Sequence, residues 1–119
     1  MGHAFRDGPT SRRTGMAWFY LIVAGLLEVV WAFSMKSSDG FSKLMPSIIT
    51  LVAMIASFGL LALAMKSLPL GTAYTLWTGI GAVGAFIVGI TVLGEPLTAM
   101  RVVAALLIVG GLVLMKVAS

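Results

Sequence analysis

Four long apolar blocks constrain this chain more than any other feature: Ala17 to Met35, Leu44 to Met65, Thr72 to Leu93 and Leu97 to Met115, of 19, 22, 22 and 19 residues. At about 1.5 Å per helical residue each reaches roughly 28 to 33 Å, which matches a hydrocarbon core of about 30 Å. The blocks are apolar nearly all round and lack strand alternation. Lipid leaves only helices or closed barrels as spanning structures, because every backbone N–H and C=O must be satisfied internally. The expected fold is therefore an all-α membrane protein with four transmembrane helices, at about 17–35, 44–65, 72–93 and 97–115. Composition agrees: 10% charged residues and a mean hydropathy of +1.08 are incompatible with a soluble domain. The absence of Cys excludes a disulfide scaffold, a thiolate metal site and a cysteine nucleophile.

The connections are short: Lys36 to Lys43 with Asp39-Gly40, Lys66 to Gly71 with Pro69, and Gly94-Glu95-Pro96. Such lengths lead us to expect adjacent antiparallel packing of consecutive helices. Pro46 and Pro96 mark helix openings, where a missing N–H costs little. Residues 1–15, MGHAFRDGPTSRRTG, are polar and show no apolar period, so they read as a disordered leader or extension ahead of a four-helix membrane domain at 16–119. Met16 is itself a natural start for the membrane domain. No cleavage site of the secretory type interrupts the first block, which is expected to stay. His3 has no partner spaced for metal binding, and no metal or cofactor is expected. The net charge of +4 comes from cations scattered between apolar blocks rather than gathered in a stripe, so no nucleic-acid partner is expected.

Charge balance bears on orientation. With four spans, Lys66 and Lys116 fall on one side, and Lys36, Lys43 and Arg101 on the other. Two cations against three give almost no bias toward a cytoplasmic face, so both insertion orientations are expected to be nearly equal in free energy. Arg6, Arg12 and Arg13 of the leader would raise the first count to five and favour a cytoplasmic N-terminus. Four helices are too few to seal a solute path, so a transporting unit needs at least two copies. Two oppositely inserted copies would supply the symmetry that larger transporters obtain from inverted repeats.

Glu28 is the only acidic residue within the apolar blocks, twelve positions into the first. A charged side chain at that depth costs at least about 2.5 to 3.5 kcal/mol on insertion scales, so an intramembrane carboxylate is a functional candidate facing protein or water. The competing reading is a neutral carboxylic acid used as a packing hydrogen bond. A carboxylate that binds either a proton or an organic cation, but not both, couples their movements by competition. Leu21, Ala24, Gly25, Trp31, Ala32 and Met35 share its face, and the small residues leave room beside it. Trp31 can donate its indole N–H to the carboxylate or cover it with its ring. In the third block Tyr74, Trp77, Gly81 and Gly84 share one face, suited to lining a cation site. The glycines there serve close packing, bending or both. Ser57 is the polar side chain near mid-depth of the second block, within reach of a carboxylate or, more commonly, of a backbone carbonyl. In the fourth block Ala104 and Gly111 lie on one face beside Gly110, as in an association helix, while Glu95 and Arg101 at the helix end suit solvated or capping roles.

At these residues the chain resembles the small multidrug resistance family. The carriers are Glu28-Val29-Val30-Trp31-Ala32, Pro46-Ser47, Ser57, Lys66-Ser67-Leu68-Pro69-Leu70-Gly71-Thr72-Ala73-Tyr74, Trp77-Thr78-Gly79-Ile80-Gly81-Ala82-Val83-Gly84 and Glu95-Pro96, and the resemblance covers Met16 to Ala118. Trp31 one turn after Glu28 and the Trp77 to Gly84 run look like the guanidinium-exporting branch rather than the quaternary-ammonium branch. The resemblance implies an antiparallel dual-topology homodimer in the bacterial inner membrane, exporting guanidinium-like cations in exchange for protons. It implies Glu28 as the shared proton and substrate site, hydrogen-bonded by Ser57 and Trp31 and lined by Tyr74 and Trp77. It further implies a helix bend at Gly79 and Gly81 and a dimer contact at Ala104 and Gly111. Ala104 departs from the glycine frequent in drug-exporting relatives, and the leader is atypical.

Guanidinium is planar, permanently charged and carries paired N–H donors that match a carboxylate. Export of quaternary ammonium or aromatic cations is the alternative, since Trp and Tyr attract those too. A passive channel would show flux without proton coupling. A proteolipid or structural subunit would also hold one buried acid, but four spans and two cavity aromatics argue against both. No nucleophile paired with a base and no phosphate-binding loop is present, so an enzyme is not expected.

Overall fold

The computed structural model of the chain describes residues 9–118, with side chains placed from residue 15 onward. It contains α1 (Pro9–Ser37), α2 (Leu44–Ala64), α3 (Leu70–Thr91) and α4 (Ala99–Ala118). All four are long and apolar enough to cross a membrane, α1 through Gly15–Ser37. The helices therefore stand where the apolar blocks are, with ends shifted by at most three residues except at the start of α1. There the leader expected to be structureless is helical from Pro9. Once a helix is nucleated each further residue gains a hydrogen bond, and proline is tolerated as the first helical residue. His3 and Arg6 lie outside the described residues.

The connections are as short as expected, yet consecutive helices are not uniformly neighbours. α1 packs along both α2 and α3, α3 packs along α4, and α2 meets α3 at only a few positions. The order across the layer is thus α2, α1, α3, α4, which corrects the expectation of sequential packing. Glycines on α1 and α3 draw those two helices together, as described below. The resulting slab measures 50 × 36 × 17 Å, little thicker than one helix with its side chains. Its core occupies one half of the span, where Ala17, Leu21 and Ala24 meet Leu61, Ala64 and Leu68 and the start of α3 at Ala73, Leu76 and Trp77. No residue of α4 is buried. Apart from α3, α4 is tied through Lys116, whose ammonium stands 4.2 Å from the Trp18 ring centroid of α1, within cation–π range.

The α1–α2 connection turns on Ser38, fully buried. Its hydroxyl donates to the Met35 carbonyl at 2.7 Å and accepts the Phe41 N–H at 3.0 Å. Ser42 closes the turn by donating to the Asp39 carbonyl at 2.8 Å. Three successive residues, Asp39, Gly40 and Phe41, hold positive φ values of 50°, 71° and 67°. A left-handed backbone costs an L-residue roughly 1 to 2 kcal/mol, a cost absent for glycine. We therefore expect Phe41→Gly to unfold at higher denaturant than Phe41→Ala, by about 1 kcal/mol, because both lose the ring and only the first relieves the backbone. Equal midpoints would contradict this reading of the turn.

Candidate functional site

The site is built on the seam between α1 and α3, where missing side chains on one helix receive side chains of the other. Ile80 fills the space at Gly25, Val29 fills that at Gly84, and the Glu28 side chain fills that at Gly81. A Cβ at Gly81 would fall on the Glu28 carboxyl group itself. Across α3, Leu112 of α4 occupies the space at Gly79 in the same way. Gly79 and Gly81, which the resemblance assigns to a bend, are both buried in a continuous α3 and act here as sockets.

Glu28 carries the site's one acidic group, held against α3 with its Oε1 buried and without a hydrogen-bond partner. The Trp31 Nε1, one turn on, is likewise buried and unpartnered. Buried polar atoms are satisfied in the great majority of cases, so an orphan acceptor and an orphan donor on one helix face single out this part of the seam. A carboxylate and an indole N–H offer complementary functions. The first takes a proton or a cationic N–H donor, and the second can hold the carboxylate in either state.

Ser57 does not bond Glu28 in this structure. Its hydroxyl donates to the Ala24 carbonyl of α1 at 2.7 Å and accepts the Trp77 indole N–H of α3 at 2.9 Å. In a helix the carbonyl four residues back is the acceptor for a residue's own amide, so Ser57 and Trp77 anchor α2 and α3 on the backbone turn that carries Glu28. This is the commoner of the two partners that the sequence left open for Ser57. Trp77 is buried, whereas Tyr74 is 52% exposed and its ring lies 5.5 Å from that of Trp77. Phe58 completes the aromatic line, 5.6 Å from Trp77 and 6.3 Å from Trp31. Sequence reasoning did not single out Phe58. Its adjacency to Ser57 at mid-depth is the signal that was available, but which face of α2 meets α1 becomes clear only from packing.

Ala104 and Gly111 are exposed on α4, and a side chain at Gly111 would meet nothing. A cleft of about 320 Å³ between α1 and α3 has Val29 and Ala82, the chain neighbours of Glu28 and Gly81, at one end and Lys36, Glu95 and Arg101 at the other. Among the described residues no group of His, Cys, Asp or Glu is placed to hold a metal ion.

The comparisons with known proteins agree with this architecture. The family model for Small Multidrug Resistance protein matches residues 16–108. The chain is 61% identical over 104 residues to a Guanidinium exporter of Yersinia pseudotuberculosis, covering 87% of this chain and 100% of that protein. It is 58% identical over 104 residues to the Guanidinium exporter of Escherichia coli K12, with 87% and 99% covered. The Guanidinium exporter of Salmonella typhimurium LT2 is 55% identical over the same length, again covering 87% and 99%. With four spans, a match over most of its length and relatives aligned nearly end to end, the chain belongs to the small multidrug resistance family, a family of multi-pass membrane transporters.

Proposed function

We propose that this protein exports guanidinium or small guanidinyl cations across the bacterial inner membrane in exchange for protons, with Glu28 as the site that the two share. The observation that carries the reading is the Glu28 carboxyl, deep in a membrane span, seated on Gly81 with an unpartnered oxygen beside an unpartnered Trp31 N–H. A planar cation with paired N–H donors satisfies such an oxygen, and so does a proton. Occupancy by one excludes the other, and that exclusivity couples the two flows. The names of the relatives support guanidinium as the substrate. Trp31 and Ser57 orient the acid, while Tyr74 and Trp77 line the cavity with ring faces suited to a cation.

The working unit in this proposal is an antiparallel homodimer. A slab 17 Å thick encloses no path of its own, α4 has no buried residue, and a second copy inserted the other way would bring a second Glu28 to the same cavity. Ala104 and Gly111 supply the smooth face for that contact, and Gly79 and Gly81 give α3 the freedom to bend between access states.

In proteoliposomes with an imposed proton gradient, we expect guanidinium to move against the proton flow, Glu28→Gln to abolish the movement and Glu28→Asp to retain part of it. Undiminished transport by Glu28→Gln would overturn the proposal, and transport of tetramethylammonium in place of guanidinium would move the substrate to quaternary cations. Gly81→Ala displaces the carboxyl from its socket and should lower transport by about tenfold or more. Gly59→Ala, made where an added methyl meets nothing, should leave it within about twofold. Equal effects of the two would remove the socket from the account.

A further inference from the structure

The far end of the α1–α3 cleft contains a guanidinium already bound: that of Arg101. Its Nη1 donates to the Pro96 carbonyl, its Nη2 lies 3.5 Å from Glu95 Oε1, and its Cζ stands 5.1 Å from the centroid of the Phe86 ring. A carbonyl, a carboxylate and an aromatic face around one planar cation are the elements of a guanidinium receptor. The receptor is shaped by the backbone. Gly94, at φ 71°, turns the chain back after α3, and the Glu95 N–H then bonds the Gly89 carbonyl at 2.9 Å. That return lays the Glu95 carboxylate against Gly89, where a Cβ would collide with it. At the start of α4 the Thr98 hydroxyl accepts the Arg101 backbone N–H at 3.2 Å.

We propose that Glu95, the Pro96 carbonyl and Phe86 form a second, peripheral guanidinium site, occupied at rest by the chain's own Arg101, at the outer end of the cleft whose inner end is lined by the neighbours of Glu28. The ligand class is read from Arg101 rather than from the relatives, while the meaning of the site for transport rests on the function proposed above. Arg101 and Glu95 have side chains 35% and 40% exposed, and an ion pair so open to water is weak. A free cation of the same shape therefore competes for the cradle at millimolar concentration, although the tether gives Arg101 an effective concentration of about the same order. Lys36 lines the same cleft and, with the displaced Arg101, repels a cation that lingers. These charges make the site a brief stop rather than a store.

The test uses the full-length chain with Glu28→Gln, so that the deep site contributes nothing, and radiolabelled guanidinium as the probe at equilibrium. Removing the tethered competitor in Glu28→Gln/Arg101→Ala should raise binding to roughly one guanidinium per chain in the millimolar range. Adding Glu95→Gln should weaken it by about tenfold or more. Tetramethylammonium, which has no N–H donors, should not compete. No gain on removing Arg101, or a gain that Glu95→Gln leaves intact, overturns the proposal. A second readout leaves Arg101 in place: its Nε resonance in ¹⁵N-labelled Glu28→Gln should shift with added guanidinium and not with tetramethylammonium, and identical responses to both also overturn it. Failure of either readout leaves the transport assay on Glu28 untouched, and failure of that assay leaves these intact.

Discussion

Placing a carboxyl group at mid-depth in a membrane span is the constraint around which the rest of this structure is organised. Lipid cannot solvate the anion, so the side chain of Glu28 has to lie against protein, and α3 accommodates it by having no side chain at Gly81. The same logic repeats along the seam, with Ile80 at Gly25 and Val29 at Gly84. Glycine and alanine let helix backbones approach closely enough for van der Waals contact, the main source of helix association where water offers no hydrophobic drive. Because α1 meets the glycines of α3 on one side and turns its Ala24 carbonyl toward Ser57 of α2 on the other, it becomes the central helix of the row. The polar link from Trp77 through Ser57 to Ala24 then fixes three helices at the turn that carries the acid.

The price of this arrangement is an open layer. Among the described residues ten buried apolar side chains form a modest core, α4 remains wholly on the outside, and the aromatic line from Trp31 through Phe58 and Trp77 ends at an exposed Tyr74. Each feature supports the proposal that one chain forms half of a cavity. The cleft along α1 and α3 adds a second theme, since Glu28 next to its inner end and Glu95 at its outer end face chemically similar demands. One has an unpartnered oxygen, and the other already holds a guanidinium from its own chain.

Much of the fold is legible from hydropathy, because block length maps directly onto membrane thickness. The position of Glu28 is legible for the same reason, since a single acid among apolar residues stands out without any tertiary information. Neighbour order was not. Loop length limits how far apart consecutive helices lie, but the glycines of α3 decide that it packs on α1, and a glycine in sequence does not announce which side chain will fill it. Ser57 was recognisable as polar and mid-depth, and its choice of the Ala24 carbonyl over Glu28 depends on helix rotation. Glu95 and Arg101 read as helix-end charges because the return of the chain at Gly94, which brings the carboxylate back over Gly89, is a matter of backbone dihedrals. The helical start at Pro9 shows local propagation overriding a polar composition.

The central claim is that proton and guanidinium occupy the same carboxyl in turn. It is tested most directly by adding guanidinium to the purified full-length protein in weakly buffered solution and recording proton release alongside binding. The account predicts that binding to the native chain expels protons and that Glu28→Gln expels none. Binding to the native chain without proton release, or the same release from Glu28→Gln, would contradict it.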